Sequence, residues 1–530
     1  MGSGMTIGSR AMVASPHAGA SEAGAEVLRR GGNAFDAAVA VSAALGVAYP
    51  HMTGLGGDAF FMLYEAGSGE LVGYNGSGRA AADATIGAYA NRGLEAIPKR
   101  GPLSAITVPG MVDAWEQVWA RYGRCSWEQV LEAAVGYAEL GCPVSPNLRE
   151  WIVRDESDIR ANAAMADVFL PGGTIPAIGD MIVQPDLANA LKAIRAGRSE
   201  AFYRGELARS IAKDVREAGG FLGEGDFAAH RGAWVKPIHT DYRGTRIYQM
   251  PPNSQGFTVL MMLNILERFD LTSIKRGSAD FYHLMAEAVK LSFRDRDLYL
   301  TDPEFADIPL DDLLSKAYAK RLAASIDPNA ASGSLSAPMG QDTAYAAVVD
   351  EEGNAVSFIQ SLYFDFGSCY MPGGTGVILQ NRGSYFSLDP AHVNALEPGK
   401  RTFHTLMPAM AFKNGLPCLL FGTQGGEGQP QTQLSIATGV LDYGFTVEEA
   451  IGQPRWVFGR TWGQDSDSLK IEGRIAEEDV KALERKGHRV EVVREWDGLM
   501  GQAQAIWIDR ENGRLHGAAD PRGDGMAIGW

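Results

Sequence analysis

The sequence predicts a mixed α/β protein in four layers, αββα, with helices on both outer faces of two strand layers. Three observations point there. Residues 33–47 form an almost wholly apolar helix, which has no face for water and must be buried. A polar, helix-breaking stretch over 324–340 gives way abruptly to strand hairpins. Beyond it, strand pairs alternate with helices almost to the end of the chain, so each strand layer has helices to pack against.

In chain order, residues 20–30 carry Ala20, Ala23 and Val27 at helical spacing and stop at Gly31-Gly32, where Asn33 caps the apolar helix. Gly54-Leu55-Gly56-Gly57 precedes a strand over 59–64. Residues 105–300 read as mainly helical, most clearly at 115–122, 187–195, 206–217 and 281–291. Residues 322–341 read as an exposed loop, followed by strands 343–350 and 355–362 around a Glu-Glu-Gly-Asn turn. Asn414-Gly415 turns a second hairpin, 409–412 with 418–421. A helix with Leu434, Ala437 and Leu441 on one face follows, and Thr446 with Glu449 forms a capping box for the next. The last part adds a helix over 477–486 and strands near 489–493, 503–508 and 515–518.

At 530 residues the chain allows two to four domains or one large layered body, and 45% apolar with 21% charged residues is a soluble globular composition. A net charge of −16 argues against nucleic acid, which would repel it at every phosphate. Cys125, Cys142, Cys369 and Cys418 have no CxxC pairing and no histidines at metal spacing, so they read as reduced thiols. The apolar run 37–49 is too short to span a bilayer and is led by Asp36, so no membrane partner is expected. Residues 1–4 read as a cloning remnant ahead of Met5, no signal peptide is visible, and a cytoplasmic location is the default expectation.

Several ordered motifs then resemble the γ-glutamyltransferase family over essentially the whole chain. They are Gly31-Gly-Asn-Ala-Phe-Asp-Ala-Ala38, Thr53-Gly-Leu-Gly-Gly-Asp58, Thr343 ahead of Val348-Val-Asp350 with Gly353-Asn-Ala-Val-Ser357, and Gly425-Gly426. The resemblance implies a proenzyme of the N-terminal-nucleophile type that cuts Asp342–Thr343. The large fragment (1–342) and small fragment (343–530) would then stay associated in one αββα body. Thr343 becomes the nucleophile and its freed α-amine, with pKa about 8, the base. Gly425 and Gly426 correspond to the oxyanion-hole glycines, and Ser361 to a hydroxyl that assists the nucleophile. No metal or organic cofactor is called for. Oligomeric state is open, with a homodimer compatible.

The pocket departs from the glutamyl pattern. The family's carboxylate-binding arginine aligns near Ser77, with Arg79 two residues on, and its acidic stretch is replaced by Gln380-Asn-Arg-Gly-Ser-Tyr385. Arg382 offers a fixed fork of donors to a carboxylate and cannot hold an ammonium. Tyr385, Thr405, His404, Tyr363 and Arg79 complete the candidate substrate contacts. The expected substrate is a small anionic amide, and the pattern looks closest to the oxamate amidohydrolase branch. A γ-glutamyltransferase acting on glutathione, and an unprocessed binding homologue without activity, are the alternatives. A nucleotide-binding loop at Gly54–Gly57 lacks the strand–GxGxxG–helix order.

Overall fold

The computed structural model describes residues 4–333, 343–459 and 466–530. Two seven-stranded sheets form its centre. Across one, the strands run Thr6–Gly8, Arg514–Ala519, Ala503–Asp509, Leu416–Thr423, Ala409–Lys413, Thr245–Gln249 and Ile238–Tyr242. Across the other they run Met526–Gly529, Met12–Ser15, Ala344–Val349, Ala355–Ser361, Asp58–Glu65, Glu70–Asn75 and Ala233–Val235. Neighbouring strands in both sheets are antiparallel.

Side-chain alternation sorts the core into three layers. Along Ala344–Val349, Tyr345, Ala347 and Val349 point between the sheets, where they meet Phe60, Met62, Met410, Leu420 and Ile506. Ala344, Ala346 and Val348 point outward, into a layer shared with the helices Ala18–Arg29 and Ala34–Ala48. The other sheet sends Ala409, Ala411, Leu419 and Phe421 outward against Phe257–Leu266, Ala279–Tyr299 and Gly428–Leu441. Helix, sheet, sheet, helix is the αββα order the sequence predicts.

Ala34–Ala48 is buried along its whole length. Asn33 and Asp36 close a capping box at its start, and Asp350 Oδ2 accepts the Ala34 N–H at 2.9 Å. The Asn414-Gly415 hairpin and the Thr446/Glu449 box form as expected. Helix Glu206–Glu217 also forms where its spacing places it.

The region 105–300 is less helical than its composition suggests. It contains strands at 233–235, 238–242 and 245–249, the last two joined by Arg243-Gly244 with φ 48° and 79°. Both values suit the tight two-residue turn of a hairpin. The loop ahead of Thr343 opens at Ser325, because helix Lys316–Ala324 runs past Leu322. Its first residues are tethered: His283 Nε2 meets the Asp327 carbonyl at 2.8 Å, and Glu287 accepts the Ser332 N–H at 3.1 Å.

Candidate active site

Thr343 is fully buried, one residue ahead of a strand whose first residue, Ala344, already pairs with Gln360 and whose far half also pairs with Met12–Ser15. Gln429 Nε2 donates to its Oγ1 at 3.3 Å. Gln429 stands in the first turn of Gly428–Leu441, and the loop entering that helix carries Gly425 (φ 121°) and Gly426 (φ 48°). Such values favour glycine, because a Cβ would crowd the backbone. The carbonyls of the two glycines accept from Gly428 and Gln429, while their N–H groups donate to none of the described residues.

Gln255 braces this loop by donating Nε2–H to the carbonyls of Gly426 (2.9 Å) and Thr405 (3.0 Å). Its Oε1 in turn accepts from Arg296 at 3.3 Å, and Arg296 also pairs with Glu427 at 3.4 Å.

Beside this lies a buried cation. Arg382 begins a short 3₁₀ turn and is 1% exposed. Its Nη1 donates to Thr405 Oγ1 at 3.1 Å and its Nη2 to Ser361 Oγ at 3.3 Å, while Nε has no partner. The guanidinium lies over the rings of Tyr363 (4.3 Å) and Tyr385 (5.6 Å), which themselves pack at a 30° tilt with centroids 4.4 Å apart. Burial pulls the Arg382 pKa down, opposed chiefly by the two tyrosines and Asp58. No carboxylate forms an ion pair with Arg382 among the described residues. A buried arginine held by two hydroxyls, with an idle N–H, is a ready site for an anion.

Asp58 is the hub next to it. Its Oδ1 accepts from Gln380 Nε2 (3.0 Å), Gly110 N (3.1 Å) and Gly78 N (3.2 Å), and its Oδ2 meets His404 Nε2 at 3.1 Å. Burial pushes its pKa up to about 6, against the pull of Arg382. His404 Nδ1 accepts the Leu406 N–H at 3.3 Å, so the ring proton sits on Nε2 and is donated to Asp58. Burial, reinforced by Arg382, drives the imidazole pKa well down, and the ring is neutral.

Ser361, Tyr363, Arg382, Tyr385 and Thr405 thus come together, and Thr343 with Gly425 and Gly426 meets at Gln429 and the helix entry. His404 joins through Asp58 with both ring nitrogens engaged, which leaves none for a substrate. Arg79 turns elsewhere: it donates to the Gly399 carbonyl (2.9 Å) and pairs with Glu304 (2.6 Å). Of the two arginines, only Arg382 enters the cluster. Asp342 lies outside the described residues.

Gly56 and Gly57 serve close packing: a Cβ there would lie 2.0 Å from the Ile378 carbonyl oxygen and 2.2 Å from that of Ser361. This loop therefore seats the strand end carrying Ser361 and the segment carrying Gln380. Sequence reasoning missed Asp58 as a hub, together with Gln255, Arg296, Gln380 and Gln429. Asp58 stood inside a quoted motif and Gln429 in a glutamine-rich run, but nothing local connects the first to His404, 346 positions away, or the second to Thr343, 86 positions away.

One buried grouping of metal-ligating side chains occurs among the described residues, His283, Glu287 and His488. Lys290 Nζ sits 2.7 Å from Glu287 Oε1, so a cation already occupies that place.

The family model of gamma-glutamyltranspeptidase matches residues 20–530. The glutathione hydrolase-like YwrD proenzyme of Bacillus subtilis is 54% identical, with 99% of both chains covered. The oxamate amidohydrolase proenzyme of Klebsiella pneumoniae is 39% identical, again over 99% of both. Among solved structures, cephalosporin acylase from Bacillus halodurans superimposes with a TM-score of 0.92 at 37% identity, covering 99% of this chain and 97% of that one. Fold and whole-chain matches agree: the chain belongs to the gamma-glutamyltranspeptidase family of N-terminal-nucleophile hydrolases.

Proposed function

We propose that this hydrolase is a self-processing amidohydrolase that cleaves the Asp342–Thr343 bond and then hydrolyses a small amide bearing a carboxylate, such as oxamate. The observation that carries the substrate class is Arg382, buried, bonded to two hydroxyls and holding an unpartnered N–H. The substrate carboxylate lies against this guanidinium, flanked by Ser361, Thr405, Tyr363 and Tyr385. The amide carbonyl carbon is attacked by Thr343 Oγ1, whose proton passes to the freed α-amine. The N–H groups of Gly425 and Gly426 receive the oxyanion, each contributing about 3–4 kcal/mol in the transition state. The C–N bond breaks as the ammonium returns its proton to the leaving ammonia. Water, deprotonated by the same amine, then releases the acid from the Thr343 ester.

A second reading, glutathione hydrolysis, is favoured by the likeness to the YwrD proenzyme. It needs acceptors for an α-ammonium, and the nearby acid, Asp58, already receives four donors. The test compares ammonia release from oxamate with anilide release from a γ-glutamyl anilide. Turnover of the anilide alone moves the assignment to glutathione. A third reading, a binding homologue that never processes, is decided by intact mass. The proposal expects two fragments ending at 342 and starting at 343, and one unbroken chain for Thr343→Ala. An unbroken wild-type chain after long incubation would sink it.

A further inference from the structure

Residues 363–369 connect Ser361 to the segment that carries Arg382, and their backbone is strained. Tyr363 (φ 88°), Phe366 (φ 51°) and Cys369 (φ 47°) are non-glycine residues in the left-handed region, alongside Gly367 (φ 56°). Such conformations persist only where surrounding contacts over-determine them. Much of that hold comes from one side chain far away in sequence. Arg100 Nη1 donates to the carbonyls of Asp365 (2.5 Å) and Gly367 (2.6 Å), and its Nη2 pairs with the Asp365 carboxylate at 2.5 Å. Its neighbours extend the grip, since Gly101 N donates to the Ser368 carbonyl and the Lys99 carbonyl accepts Asn381 Nδ2.

Arg100 is itself anchored by Asp155 (3.4 Å) and Asp158 (3.0 Å). Burial, with Asp365 beside it, pushes the Asp155 carboxyl well above the ordinary carboxylate range, against the pull of Arg100. The strained segment ends on the anion site. Tyr363 N donates to Ser361 Oγ at 2.7 Å, the Tyr363 ring covers the Arg382 guanidinium, and Phe364 stacks on Tyr363 at 4.5 Å. A surface cavity of about 270 Å³, lined by Lys99, Arg100, Arg154, Asp155, Phe364 and Asp365, opens on the far side.

We infer that Arg100 is a positioning residue for substrate recognition: by clamping residues 363–369 it sets Tyr363 over Arg382 and so shapes the carboxylate site without touching substrate. This rests on the reading of Arg382 as the carboxylate-binding residue. The experiment uses processed wild-type, Arg100→Met and Arg382→Met enzymes, with oxamate and its neutral diamide as substrates, and follows hydrogen exchange of the 363–369 amides. Arg100→Met is expected to raise KM for oxamate about tenfold and leave kcat within about twofold. The diamide KM should stay unchanged, and the segment's exchange should speed at least tenfold. Methylguanidinium, entering through the cavity, should restore much of the oxamate affinity. Arg100→Lys keeps the charge but cannot span all three acceptors; it is the fallback, with the same readouts, if Arg100→Met does not fold. Unchanged exchange overturns the inference. So does an unchanged oxamate KM in Arg100→Met when Arg382→Met raises it. If neither arginine variant alters KM, the substrate reading fails while faster exchange still upholds the clamp.

Discussion

At Asp58 a carboxylate meets a neutral imidazole under the influence of the buried Arg382 guanidinium, and on the proposed reading the charge state of that one acid tunes the carboxylate site. Its pKa is raised by burial to about 6. Below that value Asp58 is neutral and Arg382 presents its full charge to an anionic substrate. Above it, the ionised acid offsets part of that charge. The affinity for oxamate should therefore fall several-fold as pH rises through about 6, and Asp58→Asn should flatten that limb of 1/KM. A KM profile unchanged in Asp58→Asn would remove Asp58 from this role. The stability sign is separate. An acid whose folded pKa lies above its unfolded one holds its proton more tightly when folded. Its contribution is therefore favourable below about 4 and is lost as pH rises through about 6. Asp58→Asn removes that titration and should lessen that pH-dependent loss, which denaturant melts at two pH values would show.

Among the elements, the hairpin that starts at Thr343 is the one best written in the sequence, and its turn does more than reverse the chain. Asp350 Oδ1 accepts the N–H groups of Glu352 (3.0 Å) and Asn354 (2.9 Å), while Oδ2 caps the buried helix at Ala34 and accepts Asn354 Nδ2 at 2.8 Å. The Asp-x-x-Gly-Asn motif is thus a joint between the strand that follows Thr343 and the helix beneath it. Asp350→Ala should cost about 2–3 kcal/mol, from a lost cap and unsatisfied buried donors, measured as a lower urea midpoint. A loss below about 0.5 kcal/mol would contradict that coupling. Patterns confined to ten or so residues were legible for the same reason: the Asn33 cap, the Asn414-Gly415 turn and the Thr446/Glu449 box each depend on neighbours. The strands at 238–249 were not, because each is only five residues long and Ile238-His-Thr-Asp-Tyr242 places three polar residues in a row. The Asp58–His404 contact joins residues 346 apart, and glutamines such as Gln255 and Gln429 carry no local pattern that marks them as braces.

For the molecule as a whole, the strand order makes a prediction about what cleavage at Asp342–Thr343 can and cannot do. In one sheet Met12–Ser15 lies between Met526–Gly529 and Ala344–Val349, and Ala355–Ser361 pairs with Asp58–Glu65. In the other, Arg514–Ala519 pairs with Thr6–Gly8 and Ala409–Lys413 with Thr245–Gln249. Each proposed fragment therefore completes the sheets of the other, and the layer between the sheets draws Phe60 and Met250 from one and Tyr345 and Leu420 from the other. Separating them would expose sheet edges and a close-packed apolar layer together, a cost far above that of one broken peptide bond. The processed protein should elute in native buffer as one species holding both fragments in equal amounts. It should also unfold in a single transition, with the fragments parting only in denaturant. Elution of a free 343–530 fragment in native buffer would show that the sheets do not hold the halves together. The same geometry would let a chain cut at Asp342–Thr343 keep its candidate site: Ala344–Val349, next to the proposed new terminus, stays paired with Met12–Ser15 of one fragment and Ala355–Ser361 of the other.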